Sequence, residues 1–498
     1  MNEYKYIDNY ISDNISDEEI KGWDGKNVMI IADTGLGKTT LIATNFAKQF
    51  SDREILYLCN RSFLKEQVLH DLNENKNILV MTYQYYEKNI ECINEYIEQD
   101  YILVLDEAHY FCTDATFNFK LDILYKKIIN SKNTKIFMTA TPECLFFPND
   151  FFECNYIFKR KLNDYIENCY FYYNEEILIN KLKSIPDNEK ALVIYNNIEK
   201  IEFIAEKLKN QVNVLVSKSK KNIYKKYNCE VVNKELVNNF RFPSKILLST
   251  TCIDNGISLK MKELKHLIIA VSNPIEIKQI IGRKRFIDKD DKINIYLKYF
   301  NPKQLASELN RYKDLFEQGD FFVNNGQDVF ISKYKTQNYS TNLIYPETEG
   351  NECTLRLNEC LYNALLYKKQ YIENMNENGY SNYVSGYLGI PFNRFRSLEH
   401  KHDFDLIASF ILLHNEEKLF RNSSEYDELI DIFKYKLLFY KERTVGYSNV
   451  KKYIESMNTP DAEILFSVCK GRESKGENRS KVYWMLSEID YKSFGTPT

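Results

Sequence analysis

The sequence predicts an α/β protein with two parallel β-sheets, each covered by helices, followed by a mainly α-helical domain. Three observations support this fold class. The chain has 498 residues, which is more than a single hydrophobic core usually holds. Up to about residue 300, short runs rich in Val, Ile and Leu alternate with amphipathic stretches, as in parallel sheets covered on both faces. Beyond that point strand-like runs become rare and helical spacing dominates.

The strand-like runs form two series. The first covers residues 27–31, 55–59, 78–82, 101–105 and 135–138, and the second covers 191–195, 212–216, 245–249, 266–271 and 292–299. Residues 142–168 lie between them, contain two Pro and many aromatic residues, and are interpreted as an irregular connection. The predicted domains are an N-terminal helical extension (1–24), two α/β domains (25–160 and 161–300) and a mainly helical accessory domain (301–498).

The composition excludes several classes of protein. With 44% hydrophobic and 28% charged residues, the chain has enough apolar material for packed cores and is not a disordered protein. Because the net charge is −3, any nucleic-acid contact must come from a local basic surface. The eleven Cys form no C-x-x-C pair, and neither a signal-peptide pattern nor a membrane-length apolar run is present. We therefore expect reduced thiols, a cytoplasmic location and no membrane contact.

A glycine-rich segment follows the first strand-like run and precedes an amphipathic stretch, 40–50, that is predicted to be a helix. Backbone N–H groups of such a loop, together with a helix N-terminus, bind phosphates. Lys38 would contact the β- and γ-phosphates, and the Thr39 hydroxyl would bind Mg²⁺. The segment predicts an ATP site made of Ala32, Asp33, Thr34, Gly35, Leu36, Gly37, Lys38 and Thr39.

Two carboxylates, Asp106 and Glu107, end the strand-like run 101–105. Ligands of open α/β sheets bind at the carboxyl ends of the strands, so both side chains are expected near the phosphates. Asp106 is suited to hold Mg²⁺ through its water shell, and Glu107 to orient and deprotonate the attacking water. The sequence therefore predicts phosphate hydrolysis, with Lys38, Asp106 and Glu107 as catalytic residues.

The two motifs and five further segments, in their order and spacing, resemble the motif series of superfamily 2 helicases of the DEAD/DEAH-box group, with a DEAH box at 106–109. The resemblance covers about residues 25–300 and implies two tandem RecA-like P-loop NTPase domains that use ATP and Mg²⁺. It assigns nucleic-acid contacts to Asn60, Arg61, Thr82, Gln84 and Thr250. It assigns the coupling of hydrolysis to strand movement to His109, Thr139 and Thr141, and further nucleotide contacts to Thr40, Asp254 and Gly256.

The last of these motifs contains Gln279, Arg283 and Arg285. In the resembling enzymes, an arginine from the second domain stabilises the charge that develops on the γ-phosphate, and Gln279 is assigned a catalytic role with it. The commoner pattern places the second arginine three residues after the first. Here Phe286 occupies that position and Arg285 comes one residue early. Both arginines are candidate fingers, and Arg283 aligns without adjustment.

Three features outside the motif series allow two interpretations each. Residues 381–398 have the apolar spacing of a helix-turn-helix, which would present Asn393, Arg394 and Arg396 to DNA, or they form a plain pair of helices joined by a turn. Residues 470–481 form a basic stretch that is either a solvated loop or a phosphate contact. Trp23 either packs in the core or stacks on the nucleotide base.

The resemblance favours an ATP-dependent DNA helicase or translocase of a bacterium, phage or plasmid, acting in replication or repair. DNA is preferred over RNA because 139–142 reads Thr-Ala-Thr-Pro, because the early Arg285 resembles viral or plasmid origin-binding replication helicases, and because a helix-turn-helix candidate follows the motor. Three alternatives stay open: an ATP-switched, site-specific DNA-binding protein of the origin type, the motor subunit of an antiviral defence system, and an RNA helicase. Replication or defence proteins would bind through the accessory domain.

Overall fold

A computed structural model describes residues 5–7, 9–60, 77–89, 101–115, 118–217, 219–251, 258–335, 338–349, 352–437, 445–457 and 465–489 of the chain. The structure divides into two compact units, each made of two chain segments. Unit 1 comprises Met1–Asn168 and Ile185–Phe392, and unit 2 comprises Cys169–Ser184 and Asn393–Thr498.

The strands of the described residues, in chain order, are β1 (Lys5–Tyr6), β2 (Asn27–Ala32), β3 (Ile55–Cys59), β4 (Ile78–Thr82), β5 (Ile102–Asp106), β6 (Lys135–Thr139), β7 (Cys154–Lys159), β8 (Ile166–Tyr172), β9 (Lys190–Tyr195), β10 (Val212–Leu215), β11 (Ile246–Ser249), β12 (Leu264–Ala270), β13 (Ile293–Lys298), β14 (Ile344–Glu349), β15 (Glu352–Leu357), β16 (Phe395–Ser397), β17 (Leu419–Phe420), β18 (Leu465–Arg472) and β19 (Val482–Ile489).

The α-helices of the same residues are α1 (Asp17–Lys21), α2 (Lys38–Leu41), α3 (Ala47–Gln49), α4 (Tyr83–Lys88), α5 (Tyr110–Thr113), α6 (Lys120–Asn130), α7 (Glu175–Ser184), α8 (Ile198–Leu208), α9 (Lys221–Lys226), α10 (Cys229–Asn239), α11 (Pro274–Arg283), α12 (Pro302–Asn310), α13 (Lys313–Tyr334), α14 (Glu359–Asn378), α15 (Tyr380–Leu388), α16 (Leu398–Leu413), α17 (Ser424–Asp431) and α18 (Tyr447–Met457). A π-helical turn, Ile42–Phe46, joins α2 to α3, and another, Ile432–Lys436, continues α17.

The first sheet of unit 1 is parallel, with the strand order β1-β7-β2-β6-β5-β3-β4. We call the part of unit 1 built on this sheet, residues 5–159, the first lobe. One face of the sheet packs against the N-terminal segment, α2 and the π-helical turn that follows it, which contribute Ile11, Ile20, Leu41 and Phe46 to a buried core. The opposite face is covered by other helices that follow in the chain.

The second sheet of unit 1 contains β10, β11, β9, β12 and β13 in this order, all parallel. We call residues 190–298, which build it, the second lobe. The ten strand-like runs of the sequence each correspond to one strand of these two sheets, with ends displaced by at most two residues. Tandem RecA-like α/β domains, followed by a region rich in helices, are therefore confirmed as the fold class.

The interpretation of residues 142–168 as an irregular connection is wrong in part. Residues Cys154–Lys159 form β7, which pairs with β2 and with the short strand β1. The predicted helical extension 1–24 likewise contains a strand, Lys5–Tyr6, besides α1. Both strands lie at one side of the sheet, beyond β2, and their mixed polarity hides them from a search for apolar runs.

Residues 301–392 belong to unit 1. Phe316, Phe330, Leu343 and Leu361 pack into the same core as Leu105 of the first lobe. The predicted accessory domain 301–498 differs from this division, because its first part packs on the first lobe and its remainder belongs to unit 2.

Unit 2 joins a short segment from the middle of the chain to the C-terminal residues. Cys169–Phe171 of β8 pair in parallel with β16, and the Glu399 carboxylate accepts hydrogen bonds from the backbone N–H groups of Tyr173 (2.6 Å) and Asn174 (2.9 Å). The C-terminal part contains α16, α17 and α18 and an antiparallel sheet of order β17-β19-β18. Its core includes Ile407, Leu429, Val450 and Trp484.

The helix-turn-helix prediction for residues 381–398 is wrong in its second helix. Tyr380–Leu388 form α15, but Phe392–Arg394 form a 3₁₀ turn and Phe395–Ser397 form β16. Asn393, Arg394 and Arg396 therefore do not lie on a recognition helix. The plain helical pair is not formed there either. Strand pairing with a segment far earlier in the chain decides this conformation, and the local spacing of apolar residues does not reveal it.

Among the described residues, no helix combines the length and the apolar character that crossing a bilayer requires.

Candidate active site

The glycine-rich loop lies between β2 and α2. Gly35 and Gly37 have φ of 85° and 84°, a left-handed conformation that glycine adopts without steric cost. The loop therefore turns sharply just before α2 begins. The Lys38 ammonium is buried and donates to the carbonyl oxygen of Ala32 (2.9 Å), and this bond holds the side chain across the loop.

The carboxyl ends of the first-lobe strands bring further polar groups to the same edge of the sheet. Asp106 ends β5, and its buried carboxylate accepts hydrogen bonds from the Tyr57 hydroxyl (2.7 Å) and from the Glu107 backbone N–H (3.0 Å). The Tyr57 hydroxyl lies 3.4 Å from the Thr39 hydroxyl, and the Tyr83 hydroxyl donates to the Asp106 carbonyl oxygen (2.9 Å). Two tyrosines thus hold Asp106 beside Thr39.

The two neighbouring carboxylates have opposite pKa shifts. Burial, with a further contribution from the charge of Glu107, raises the pKa of Asp106 above its usual value. Burial alone would also raise the pKa of Glu107, but the charges of Lys38, Arg283 and Arg285, together with the neighbouring His109, lower it below the usual value. At neutral pH Glu107 is therefore ionised and able to accept a proton. Glu107 also has a positive φ of 49°, which is uncommon for a non-glycine residue.

His109 connects the first lobe to the second. Its Nε2 lies 2.9 Å from the Gln279 amide nitrogen, and its Nδ1 lies 3.2 Å from the Thr139 hydroxyl and 3.4 Å from the Glu107 carboxylate. Gln279 also donates to the Thr141 hydroxyl (3.3 Å). Burial lowers the pKa of His109, so the imidazole is neutral at neutral pH.

The helix α11 of the second lobe lies directly against the phosphate loop. A Cβ atom at Gly282 would be 2.5 Å from the Thr34 hydroxyl oxygen, and a Cβ atom at Gly35 would be 2.6 Å from a guanidinium nitrogen of Arg285. Arg285 is oriented by hydrogen bonds to the Ser258 hydroxyl (3.1 Å) and to the Gly282 carbonyl oxygen (3.2 Å). Arg283 is buried and close enough to lower the pKa of Glu107. Arg285 therefore lies at the phosphate loop, and the charge of Arg283 acts on Glu107.

An ion pair also joins the lobes at the loop. The Lys278 ammonium lies 2.8 Å from the Asp33 carboxylate and 3.4 Å from the Ala140 carbonyl oxygen. The second carboxylate oxygen of Asp33 accepts a hydrogen bond from the Arg160 backbone N–H (2.9 Å). Asp33 thereby links the phosphate loop, the segment after β7 and α11.

The arrangement fits a nucleotide with Mg²⁺. The loop N–H groups and Lys38 match phosphate oxygens. Asp106 and Thr39 offer the hard oxygen ligands that Mg²⁺ prefers, and this ion keeps several waters, so two protein oxygens suffice. Tyr57 contacts both ligands and holds them close to each other.

The predicted nucleic-acid contacts follow the same edge of the first sheet. Asn60 follows β3, whose last residue pairs with Thr82 at the end of β4. The Thr82 hydroxyl accepts a hydrogen bond from the Tyr85 backbone N–H (3.1 Å) and so caps α4, while Gln84 is half-buried. Thr250 follows β11 in the second lobe. Arg61, Asp254 and Gly256 lie outside the described residues, and Arg394 and Arg396 belong to unit 2.

Sequence patterns alone did not identify Tyr57, Lys278 and Tyr10. The Tyr10 side chain is 54% exposed, and its ring lies so close to Gly37 that a Cβ atom there would be 2.7 Å from it. Its neighbour Ile11 donates a backbone hydrogen bond to the Leu36 carbonyl oxygen (2.9 Å). Trp23 is fully buried and donates to the Tyr156 hydroxyl (3.1 Å). Base stacking by Trp23 is therefore excluded.

Similar solved structures include S. cerevisiae Dbp5 bound to RNA and ADP BeF3, at 14% identity and a TM-score of 0.39, covering 58% of this chain and 83% of that chain. The Mycobacterium smegmatis helicase Lhr bound to ssDNA and AMP-PNP has 14% identity and a TM-score of 0.41, covering 58% and 46%. A DEAD box protein from Methanococcus jannaschii has 18% identity and a TM-score of 0.34, covering 58% and 86%. No family model and no curated protein sequence matches the chain.

Proposed function

We propose that the chain is an ATP-dependent motor on nucleic acid, and more specifically a DNA helicase or translocase of the superfamily 2 type. The observation that carries the proposal is the contact of α11 and the residues just after it with the phosphate loop, where Gly282 and Arg285 lie against Thr34 and Gly35. A nucleotide bound to this loop would touch both lobes. Its hydrolysis then changes how the two lobes are held together, which is the requirement for a conformational motor.

The residues of the first lobe account for the chemistry. Lys38 and the loop N–H groups would bind the phosphates, and Asp106 and Thr39 would bind Mg²⁺, which neutralises charge on them. Glu107 accepts a proton from a water molecule whose oxygen attacks the γ-phosphorus. The bond from this phosphorus to the bridging oxygen breaks, and ADP and phosphate are released.

We assign the two arginines to different positions around the transferred phosphoryl group. Arg285 lies over Gly35 and would contact phosphate oxygens directly. Arg283 acts on Glu107 and His109 through its charge. Removal of an arginine finger costs on the order of 10³ in rate or more, so the variants Arg283→Ala and Arg285→Ala, compared at saturating ATP, identify the finger by the larger loss of kcat.

DNA as the track rests on two sequence features, the Thr-Ala-Thr-Pro segment at 139–142 and the early Arg285. The helix-turn-helix candidate no longer contributes, because Arg394 and Arg396 lie on a turn and a strand. The same finding weakens the alternative of a site-specific, origin-type binding protein, which depended on a recognition helix at these residues. We place the motor in replication or repair, with ATP and Mg²⁺ as its cofactors.

Steady-state ATP hydrolysis with single-stranded DNA, with single-stranded RNA and with neither tests the proposal, together with strand separation on forked duplexes. We expect hydrolysis that DNA stimulates more than RNA does, and ATP-dependent separation of the DNA fork. Glu107→Gln should lower kcat by about 10² to 10⁴ with ATP still bound, and Lys38→Ala should abolish hydrolysis.

Two results would contradict the proposal at different levels. Hydrolysis that neither nucleic acid stimulates would reject a nucleic-acid motor. Stimulation and unwinding with RNA alone would keep the motor and reject DNA.

A further inference from the structure

The hairpin between β18 and β19 of unit 2, residues 470–481, has a strong local charge. We call it the basic hairpin. Its sequence KGRESKGENRSK contains five basic and two acidic residues, in a chain of net charge −3. The sequence left open whether these residues are a solvated loop or a phosphate contact.

The basic hairpin is an ordered turn. Glu473 and Lys481 are joined by a backbone hydrogen bond (2.9 Å), and the Ser480 N–H donates to the Glu473 carbonyl oxygen (2.8 Å). At the tip, Gly476 has φ of 76° and its carbonyl oxygen accepts the Arg479 N–H (3.1 Å). Fixed backbone geometry means that the basic side chains start from defined positions, which lowers the entropic cost of binding a partner.

The positive charges of the basic hairpin are not neutralised within the described part of the chain. One of its two carboxylates, Glu473, lies 2.7 Å from the Lys418 ammonium outside the hairpin. In the part of the chain that the structure describes, no carboxylate lies within ion-pair distance of Lys470, Arg472, Lys475, Arg479 or Lys481. All five residues are exposed.

Helix α18 extends this surface. The Tyr447 hydroxyl at its start donates to the Val468 carbonyl oxygen of β18 (3.2 Å), and the Lys470 ammonium lies 5.7 Å from the centre of the Tyr447 ring. Val450 and Ile454 face the core, whereas Lys452 is exposed. The order of elements α16-β17-α17-α18-β18-β19, with the sheet order β17-β19-β18, is that of a winged helix, in which the basic hairpin is the wing.

We propose that the basic hairpin, with the exposed start of α18, binds the phosphate backbone of duplex DNA. Non-specific binding to DNA comes mainly from lysine and arginine contacts with phosphates. A single-strand site needs aromatic platforms for unstacked bases. Residues 470–481 contain no aromatic residue, and Tyr447 is half-buried with its hydroxyl bonded to β18. A protruding hairpin fits a groove of B-form DNA, whereas the major groove of A-form RNA is too narrow for it.

Helix α17 is not part of this surface. It contains Glu425, Asp427, Glu428 and Asp431, which phosphates would repel. The contact is therefore limited to the wing and the start of α18, and it is expected to bind without sequence preference. Such a site would keep the protein bound to the duplex part of a DNA molecule while the motor acts on one strand.

The test measures binding of the full chain to a blunt, fluorescein-labelled DNA duplex by anisotropy, without nucleotide, over a series of salt concentrations. The variant Lys475→Ala/Arg479→Ala removes two exposed charges at the tip. We expect about 5- to 20-fold weaker binding and a salt dependence reduced by about two counterions. The control Lys183→Ala/Lys401→Ala removes two exposed charges elsewhere in unit 2 and should bind as the parent does.

A charge-conserving variant, Lys475→Arg/Arg479→Lys, guards against a folding defect and should keep parental affinity. Unchanged binding of the alanine pair, an equal loss in the control, or a loss in the charge-conserving pair would each overturn the proposal. An equal loss of affinity of the alanine pair for an RNA duplex or for single-stranded DNA would overturn the assignment to duplex DNA as well. The measurement needs no hydrolysis, so it is independent of whether the motor function proposed above proves correct.

Discussion

At the scale of single residues, Gln279 selects the tautomer of the neutral His109 imidazole. An amide nitrogen can only donate, so Nε2 of His109 must accept the Gln279 hydrogen bond (2.9 Å), and the ring proton lies on Nδ1. This proton points toward the Thr139 hydroxyl and the Glu107 carboxylate. A second-lobe residue is thus connected to the residue that we propose as the base through one hydrogen bond to His109 and the 3.4 Å contact of His109 with Glu107.

The hydrogen bond between Gln279 and His109 predicts that the stimulation of ATP hydrolysis by nucleic acid can be lost while basal hydrolysis is kept. Gln279→Leu removes the donor with little change in shape, and a lost buried hydrogen bond costs about 1–3 kcal/mol. We expect the ratio of kcat with and without saturating nucleic acid to fall about tenfold, with basal hydrolysis retained. The measurement is ATP turnover at both conditions, with Ile280→Val as a control on the same helix. An unchanged ratio would exclude the coupling role.

The burial of the Asp106 carboxylate predicts that its negative charge destabilises the folded protein when no ligand is bound. Its pKa is raised by burial and by Glu107, so its contribution to stability is fully present below the unfolded pKa and is lost as pH rises through the folded pKa. Asp106→Asn carries no charge at any pH. Without Mg²⁺ and nucleotide, we expect the Tm of this variant to exceed the parental Tm at about pH 8. Each kcal/mol gained in the free energy of unfolding should raise the Tm by roughly 2–4 °C.

The gain in Tm should shrink as pH falls toward the acid range, because the parental carboxyl then takes up its proton. Thermal unfolding across pH, with exposed Asp405→Asn as control, measures the effect. A gain that is equal at all pH values would argue against a charge effect.

Lys38, Thr39, Asp106 and Glu107 could be identified from sequence because each belongs to a short motif next to an apolar run. Tyr57 could not, since its role depends on β3 lying beside β5. This neighbourhood arises from sheet order, which the spacing of residues within one strand does not contain.

At the scale of secondary-structure elements, α11 contacts the first lobe through several residues on one side. Lys278, Gln279 and Gly282 contact Asp33, His109 and Thr34 respectively. One helix thus contacts the phosphate loop, the DEAH segment and, through Lys278, the segment after β6.

The Lys278–Asp33 ion pair predicts an effect on nucleotide binding and not on turnover. The side chains are 23% and 19% exposed, so solvent screening limits the pair to about 1 kcal/mol or less. By holding α11 against the phosphate loop before nucleotide binds, it should lower the cost of binding ATP, and this benefit is the same in the Michaelis complex and in the transition state. Lys278→Ala is expected to raise KM for ATP by up to about fivefold, with kcat nearly unchanged.

A double-mutant cycle with Asp33→Ala isolates the pair from the other hydrogen bond of Asp33. Lys262→Ala, which removes an exposed pair with Asp288 inside the second lobe, is the matched control. Strict additivity of the two variants would show that the pair makes no contribution.

Elements with strong local patterns were predicted correctly, and elements defined by distant partners were not. All ten apolar runs became strands of the two sheets. In contrast, Phe395–Ser397 carry the apolar spacing of a helix but pair with Cys169–Phe171, and β7 lies in a stretch whose Pro and aromatic residues suggested a loop. In both cases a partner outside the local window determined the conformation.

At the scale of the whole molecule, residues 301–392 complete the first lobe. Asp122 of α6 is fully buried, and its carboxylate accepts the Tyr345 hydroxyl (2.9 Å) and the Cys360 backbone N–H (3.2 Å) and pairs with Lys126 (2.9 Å). One carboxylate therefore anchors two separate parts of the later segment to the first lobe.

Asp122→Ala would leave both donors without their acceptor, at about 1–3 kcal/mol each. We expect the segment around Cys360 to open more often, so that this buried thiol is alkylated at least about tenfold faster, since about 1.4 kcal/mol corresponds to a factor of ten. Mass spectrometry of labelled peptides measures the rate. Asp320→Ala, which breaks a bond to Tyr362 within the later segment, is the control and should leave Cys360 protected.

Unit 2 is assembled from residues 169–184 and 393–498, and this has a consequence during synthesis on the ribosome. When Cys169–Phe171 leave the exit tunnel, their strand partner has not been translated. At about 5–20 residues per second, the intervening residues 185–392 take roughly 10–40 s to emerge. For that time the strand has an open edge available to chaperones or to other nascent chains, and unit 2 can fold only after the second lobe has been made.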